Sequence, residues 1–324
     1  MSVLVTIENL KVNFQSRKGL LGSTIVKALD GVSMNIDRGE TLAIVGESGS
    51  GKTTLGRVIL RLIKHTSGNI LFDGSDITKL PESKLQSFRQ KAQGVFQDPY
   101  SSIDPFMNIA QIVEEPLVIH GRGNKDQRLE RIYTALDEVN LSPPVEMAGK
   151  YPHMLSGGQR QRVGIARALV MEPDFIVADE PVSMIDASNR AEILYLMRDL
   201  QVTRGITFLY ITHDIATARH FSDRIAVMYA GRIVEIGPSN AIIDNPLHPY
   251  TKALIAAVPE PDPENRFRRR SVISGEPPSN TDPPTGCRFH PRCPVAIAGK
   301  CEVVEPVLTL TSMDHSTACH LWNN

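Results

Sequence analysis

An α/β fold built on a parallel sheet is what this sequence predicts, and three observations carry the prediction. Short continuous apolar runs at Thr41–Val45 and at residues 175–178 and 207–211 read as strands buried on both faces. Stretches with helical periodicity lie between them, including residues 187–203 with Ile193, Leu194, Leu196, Met197 and Leu200 on one broad apolar face. Alternation of the two element types is the pattern of a parallel sheet covered by helices.

Other segments depart from that alternation. Residues 3–14 and 28–36 read as strands joined by a glycine-containing polar stretch, which predicts an antiparallel layer ahead of the core. From about residue 108 to 150 the pattern is helical without a strand, so a helical lobe over about 108–170 is expected within the core. Residues 224–230 and 232–236 flank Gly231 and read as a hairpin. Composition shifts after Val258, where ten of the 22 prolines fall between Pro259 and Pro306. A domain of residues 1–258 and a small loop-rich appendage of residues 259–324 are therefore expected, with Arg266, Arg268, Arg269 and Arg270 on a solvated loop face.

Composition narrows the function. A chain of 324 residues, 41% hydrophobic and 22% charged, has ample material for a buried core. Its formal net charge of -1 argues against a surface built as a footprint for nucleic acid. No apolar run approaches the roughly 18 to 20 residues that cross a bilayer, and the first eight residues lack a basic segment before an apolar one. A cytosolic chain that reaches membranes only through partners is expected.

Gly46-Glu47-Ser48-Gly49-Ser50-Gly51-Lys52-Thr53-Thr54 follows an apolar strand and precedes the helix-like run 55–63, the context of a phosphate-binding loop. Its glycines let backbone N–H groups turn toward phosphates, the helix N-terminus adds partial positive charge, and Lys52 reaches the β and γ phosphates of ATP. Thr53 offers a hydroxyl to Mg²⁺. Asp179 and Glu180 end the run 175–178 at the carboxyl edge where α/β sheets hold their ligands. Asp179 would hold Mg²⁺ through water, and Glu180 would polarise the water that attacks the γ-phosphate. Leu155-Ser156-Gly157-Gly158-Gln159 opens a helix-compatible run; a helix cap accounts for the serine but less well for Gly-Gly-Gln.

On this last motif the chain resembles the ABC ATPase family, whose signature has the same sequence; the resemblance spans residues 3–259. It implies that Ser156, Gly157, Gly158 and Gln159 contact the γ-phosphate of ATP held by a second ATPase subunit, the same chain or a homologous one. It further implies that Gln97 is the loop glutamine that senses Mg²⁺ and the transmembrane partner, and that His213 contacts the γ-phosphate and orients water with Glu180. Without the other motifs His213 would read as a cap of the following helix. Phe14 lies where the family stacks an aromatic on adenine, although a strand phenylalanine is usually core. Ser183-Met184-Ile185-Asp186 replaces the family's S-A-L-D, keeping its first and last residues.

All four cysteines, Cys287, Cys293, Cys301 and Cys319, fall in the last 38 residues, at spacings unlike the usual zinc or ferredoxin patterns. Four thiolates on one metal centre, two disulfides and free thiols all remain open from the residues alone. The words Asn245-Pro246-Leu247-His248-Pro249-Tyr250-Thr251, Gly286-Cys287-Arg288-Phe289-His290-Pro291-Arg292-Cys293-Pro294 and Ala318-Cys319-His320 resemble the C-terminal extension of oligopeptide and dipeptide importer ATPases. That resemblance implies a [4Fe-4S] cluster on the four cysteines; His290, His315 and His320 lie close by in sequence and could replace a cysteine in a zinc site, which is the alternative. It also implies a peripheral ATPase at the cytoplasmic face of the membrane, docked with two transmembrane permease subunits and served by an extracytoplasmic solute-binding protein. Peptides are the implied cargo, with oligosaccharides as the alternative. A soluble ABC-type ATPase acting on nucleic acid or ribosomes is the rival from another class, and it lacks support from a second cassette or a coiled-coil insertion.

Overall fold

The computed structural model describes residues 2–18, 22–98, 103–258, 275–312 and 314–322. Arg266, Arg268, Arg269 and Arg270, and the segment just beyond Val258 where the boundary was expected, lie outside the described residues.

Strands β1 (Val3–Lys18) and β2 (Gly22–Asp37) are followed by β3 (Thr41–Val45), helix α1 (Lys52–Ile59), β4 (Ser67–Phe72) and β5 (Ser75–Asp76). Next come α2 (Gln86–Lys91), β6 (Ala92–Val95), α3 (Ile109–Ile119), α4 (Lys125–Glu138), α5 (Pro144–Ala148), α6 (Gly157–Leu169), β7 (Phe175–Asp179), α7 (Ala187–Arg204) and β8 (Thr207–Thr212). The chain continues through α8 (Ile215–Phe221), β9 (Arg224–Tyr229), β10 (Arg232–Pro238), α9 (Ser239–Asp244), α10 (Pro249–Ala256), β11 (Thr309–Ser312) and β12 (His315–Thr317). Helix α1 is shorter than the helix-like run suggests, because the Leu60 N–H turns back to Gly56 and Val58 and Arg61 takes φ 56°.

Two compact units divide the chain: a helical unit containing Asp37–Glu40 and Lys79–Leu209, and a sheet unit containing Val3–Ile36, Thr41–Thr78 and Tyr210–Asn324. In the helical unit, α3, α4 and α6 each begin with a capping box, formed by Asn108 with Gln111, Asn124 with Gln127 and Ser156 with Gln159. Each pair satisfies two helix-end groups reciprocally, which sets where each helix starts. Helix α3 packs against α4 and α6. Strands β6 and β7 pair in parallel, from Ala92 opposite Phe175 to Val95 opposite Ala178. Helix α7 buries Ile193, Leu196, Met197 and Leu200 at helical spacing and stops at Gly205, which takes the left-handed conformation at φ 67°.

The sheet unit contains the antiparallel layer, with strand order β2-β1-β4-β5 and β1 antiparallel to β4. Its second layer pairs β3 in parallel with β9 and then turns antiparallel through β10. The β9–β10 turn places Ala230 and Gly231 at φ 45° and 82°, the geometry that matches a hairpin's twist. Strands β12 and β11 continue from β10, so part of the expected loop-rich appendage is sheet. Glu235 anchors this join. Its fully buried carboxyl group accepts hydrogen bonds from the backbone N–H groups of Leu247 and His248 at 2.7 and 3.0 Å, and pairs with His315 Nε2 at 2.8 Å. Replacing Glu235 with alanine strands three buried polar groups, so Glu235→Ala should cost about 3 to 5 kcal/mol in urea denaturation, with Glu235→Gln costing less.

Candidate active site

Backbone geometry around the phosphate loop is set by carbonyl groups pressed against it. A Cβ on Gly46 would lie 2.2 Å from the Met228 carbonyl oxygen, and one on Gly51 would lie 2.4 Å from that of Ala28. Gly49 and Gly51 take φ 78° and 103°, and Gly51 is the N-cap of α1. Lys52, the first residue of α1, is buried, and its Nζ donates to the Gly46 and Glu47 carbonyls at 2.8 and 2.9 Å. Ser50 Oγ is buried without a protein partner among the described residues, which suits a polar ligand at this loop. Thr53 and Thr54 follow within α1 and are partly exposed, as Glu47 is, while Ser48 and Gly49 are exposed.

Two further expected residues belong to the same unit. Phe14 in β1 is 43% exposed, so it is not the core phenylalanine that strand position alone suggests. His213 is exposed at the end of β8, and it is not the cap of α8: Asp214 fills that role, accepting from the Ala216 and Thr217 N–H groups.

The helical unit holds the remaining residues. Strand β7 delivers Asp179, which is buried, and then Glu180, whose φ of 47° is a conformation that L-residues take at a cost. Gln97 Nε2 donates to Glu180 Oε2 at 2.9 Å, so residues 83 apart in sequence meet at the strand end. Ser183 fixes the turn from below, its N–H and Oγ both donating to the Glu180 carbonyl. Asp186 accepts from Asn189 Nδ2; in the altered loop Ile185 is buried and Met184 is exposed. Ser156 Oγ accepts from the Gln159 N–H at 3.2 Å and Gln159 Oε1 accepts from the Ser156 N–H at 3.0 Å. Gln159 is thus part of the helix cap, which accounts for one residue of the motif that a bare serine cap left open.

The family profile described as ABC transporter matches residues 29–183, and that described as oligopeptide/dipeptide transporter, C-terminal region, matches residues 234–301. Oligopeptide transport ATP-binding protein AppF of Bacillus subtilis is 45% identical over 324 residues, covering 99% of this chain and 98% of AppF. The chain belongs to the ABC transporter family, among its ATP-binding subunits. A Brucella ovis protein with a provisional peptide-import name is 47% identical over 98% of this chain and 97% of its own length. Among solved structures, the dimeric ATP-binding cassette MJ0796 in a post-hydrolysis state with ADP and Pi matches 73% of this chain and 99% of its own, at 32% identity and TM-score 0.64. CbiO1 of Clostridium perfringens, part of the cbiONQ transporter complex, matches 76% and 92% of the two chains at 30% identity and TM-score 0.65.

The cysteine segment of this ABC ATPase corrects one expectation. Among the described residues, which include all four cysteines, no group of three or more His, Cys, Asp or Glu side chains is arranged to hold a metal ion. Neither the iron-sulfur cluster nor its zinc alternative is therefore supported, and all four thiols are free. They line a cavity of about 10 Å³, no more than a single water needs. Burial pushes the Cys287 thiol up to about 11 and raises Cys293 and Cys319. Cys301 Sγ accepts from the Ile297 N–H at 3.3 Å.

What orders this segment is packing within the sheet unit. Phe289, Tyr229 and Tyr250 are buried in one aromatic cluster with ring centroids 4.6 to 5.4 Å apart. Arg288 pairs with Asp30 and reaches the Ala230 carbonyl, and the Cys287 N–H donates to the Cys301 carbonyl at 2.8 Å. The same segment touches the phosphate loop through Tyr250, Asn280 and Arg292, site residues that a reading by motif missed. Tyr250 and Arg292 stand in the sequence words that signalled the importer extension, but nothing in those words points to the loop.

Gly51→Ala places a methyl group against the Ala28 carbonyl at a left-handed φ. The variant should lose about 1 to 3 kcal/mol of stability and bind ATP at least about tenfold more weakly, measured by thermal unfolding and calorimetric titration.

Proposed function

We propose that this ATP-hydrolysing subunit energises import of oligopeptides or dipeptides through an ABC transporter. It acts as one of two ATPases, the other being the same chain or a homologue, beneath two transmembrane permease subunits at the cytoplasmic face, while an extracytoplasmic binding protein selects the cargo. Support for peptides comes from AppF, named for oligopeptide transport, and from the match of residues 234–301 to the oligopeptide/dipeptide transporter region. Among the described residues no helix is long and apolar enough to cross a membrane, which fits a subunit that depends on permeases. Residues 1–258 are taken as the ATPase domain with its helical lobe over about 108–170, and residues 259–324 as the extension.

The observation that carries the chemistry is the Gln97–Glu180 hydrogen bond at the end of a parallel strand. It orients the Glu180 carboxylate at the end of β7. The loop amides of Gly49, Gly51 and Lys52 bind the phosphates, with Lys52 Nζ releasing its two loop carbonyls to reach the β and γ oxygens. Thr53 and Gln97 offer the hard oxygen donors that suit Mg²⁺ and would hold it, with Asp179 acting through water. When bound, Mg²⁺ neutralises charge that develops on the phosphate oxygens. Glu180 orients and deprotonates the attacking water, His213 holds the γ-phosphate, and Phe14 offers its exposed face to adenine. Ser156, Gly157, Gly158 and Gln159 complete the site of the partner subunit. Because phosphoryl transfer depends on positioning, closing two half-sites assembles the catalyst and opening them releases ADP.

Glu180→Gln keeps the shape and loses the base, so the variant should bind ATP normally, hydrolyse it at least about 10²-fold more slowly and accumulate as a dimer in sedimentation. Full turnover would remove Glu180 from this role. Lys52→Ala should weaken ATP binding, while Ser156→Arg should leave binding to the isolated subunit intact and block dimer closure. In reconstituted vesicles, peptide-loaded binding protein should stimulate hydrolysis by the subunit bound to its permeases. Stimulation by nucleic acid, with no permease association, would instead favour the soluble class.

A further inference from the structure

We propose that Arg292 of the C-terminal segment is a positioning residue for ATP binding, acting through Glu47 to hold the first half of the phosphate loop in its binding shape. The inference rests on the phosphate loop being the ATP site.

Three residues from outside the loop converge on Glu47 and Gly49. Arg292 makes a two-pronged ion pair with the Glu47 carboxylate, Nη1 to Oε2 at 2.9 Å and Nη2 to Oε1 at 3.2 Å. Tyr250 Oη accepts the Glu47 backbone N–H at 2.8 Å, and Asn280 Nδ2 donates to the Gly49 carbonyl at 2.8 Å. The side chain, the amide and a carbonyl of the Glu47–Gly49 stretch are thus fixed from outside the loop. The second half is held differently, by the start of α1 and by the Gly231 N–H of the β9–β10 turn, which donates to the Ser50 carbonyl at 2.9 Å.

The holding group is itself held. Arg292 is 7% exposed, its Nη1 also donates to Tyr229 Oη at 3.2 Å, and its guanidinium lies 5.9 Å from the Tyr229 ring centroid. Burial alone would lower its pKa, but hydrogen bonds to Glu47 and Tyr229 raise it on balance, so the charge persists. The planar fork of arginine matches a carboxylate in a way lysine cannot. Asn280 is tied back too, its carbonyl accepting the Lys27 N–H at 2.9 Å. A loop that is ordered before ATP arrives does not charge that ordering to binding, so removing the clamp should appear in affinity.

The test is calorimetric titration of MgATP into the full chain and into Arg292→Gln, Glu47→Gln, their double variant, Arg292→Lys and Asn280→Ala. Arg292→Gln and Glu47→Gln should each weaken ATP about tenfold, the scale of one charge-assisted hydrogen bond. The double variant should be no weaker than the weaker single, Arg292→Lys should recover part of the affinity, and Asn280→Ala should lose a smaller share. Losses that add in the double variant, or wild-type affinity in Glu47→Gln, would overturn the proposal. A role confined to folding would lower the melting temperature of Arg292→Gln and leave Glu47→Gln unaffected, which also overturns it. If Arg292→Gln does not fold, Glu47→Gln and Asn280→Ala decide alone. A wild-type chain that fails to bind MgATP would bring down the ATP site itself; wild-type binding with unchanged variants brings down only the role of Arg292.

Discussion

Two backbone carbonyls, those of Met228 and Ala28, set the constraint on which the ATP site depends. They press so closely on the phosphate loop that Gly46 and Gly51 have no room for a Cβ, which restricts the conformations open to the loop. Met228 lies in β9, which pairs with β3, the strand that leads into the loop. The loop's shape is therefore a consequence of strand pairing and hairpin geometry as much as of its own glycines. The hairpin turn takes part directly, since Gly231 reaches both the Ser50 carbonyl and, through its own carbonyl, the Asp30 N–H.

The same unit attaches the C-terminal segment to that frame by buried polar anchors rather than by a separate core. Glu235 ties β10 to β12 and to the start of α10, and the aromatic cluster of Tyr229, Tyr250 and Phe289 supplies the apolar contact. His248 shows how polar these interior contacts are. Burial pushes its imidazole down to about 3, so the ring stays neutral and its Nδ1 accepts the Tyr250 N–H at 3.0 Å. Because its folded pKa is depressed, the unfolded chain takes up the proton first, and this contribution to stability falls away as pH drops below about 6.5 toward 3.

Much of this was legible wherever the information is local. The continuous apolar runs of β3, β7 and β8 announce buried strands, and the phosphate loop, Asp179-Glu180 and the Ser156–Gln159 motif are contiguous words with a mechanism. Strands β4 to β6 were missed because they are short or polar: Ala92–Val95 contains a glutamine and a glycine, and only Ala92 and Val95 are buried. Pairings across long sequence separations left no trace, neither Gln97 with Glu180 nor Arg292 with Glu47. The cysteines misled for a related reason. Their nearness in sequence suggested shared ligation, whereas the segment is ordered by hydrogen bonds and aromatic packing and its thiols line a space of about 10 Å³. Gln159 has a structural duty that its motif did not announce, closing the capping box of α6.

The central claim is that backbone amides of the phosphate loop, directed by its glycines, bind the phosphates of ATP. Amide resonances of the deuterated, nitrogen-15-labelled chain test it directly when MgATP is added. Gly49, Gly51 and Lys52 should shift strongly downfield as their N–H groups take phosphate oxygens, while Glu47, whose N–H is already given to Tyr250, should move little. Saturable ATP binding that leaves the Gly49, Gly51 and Lys52 amides unmoved would contradict the account.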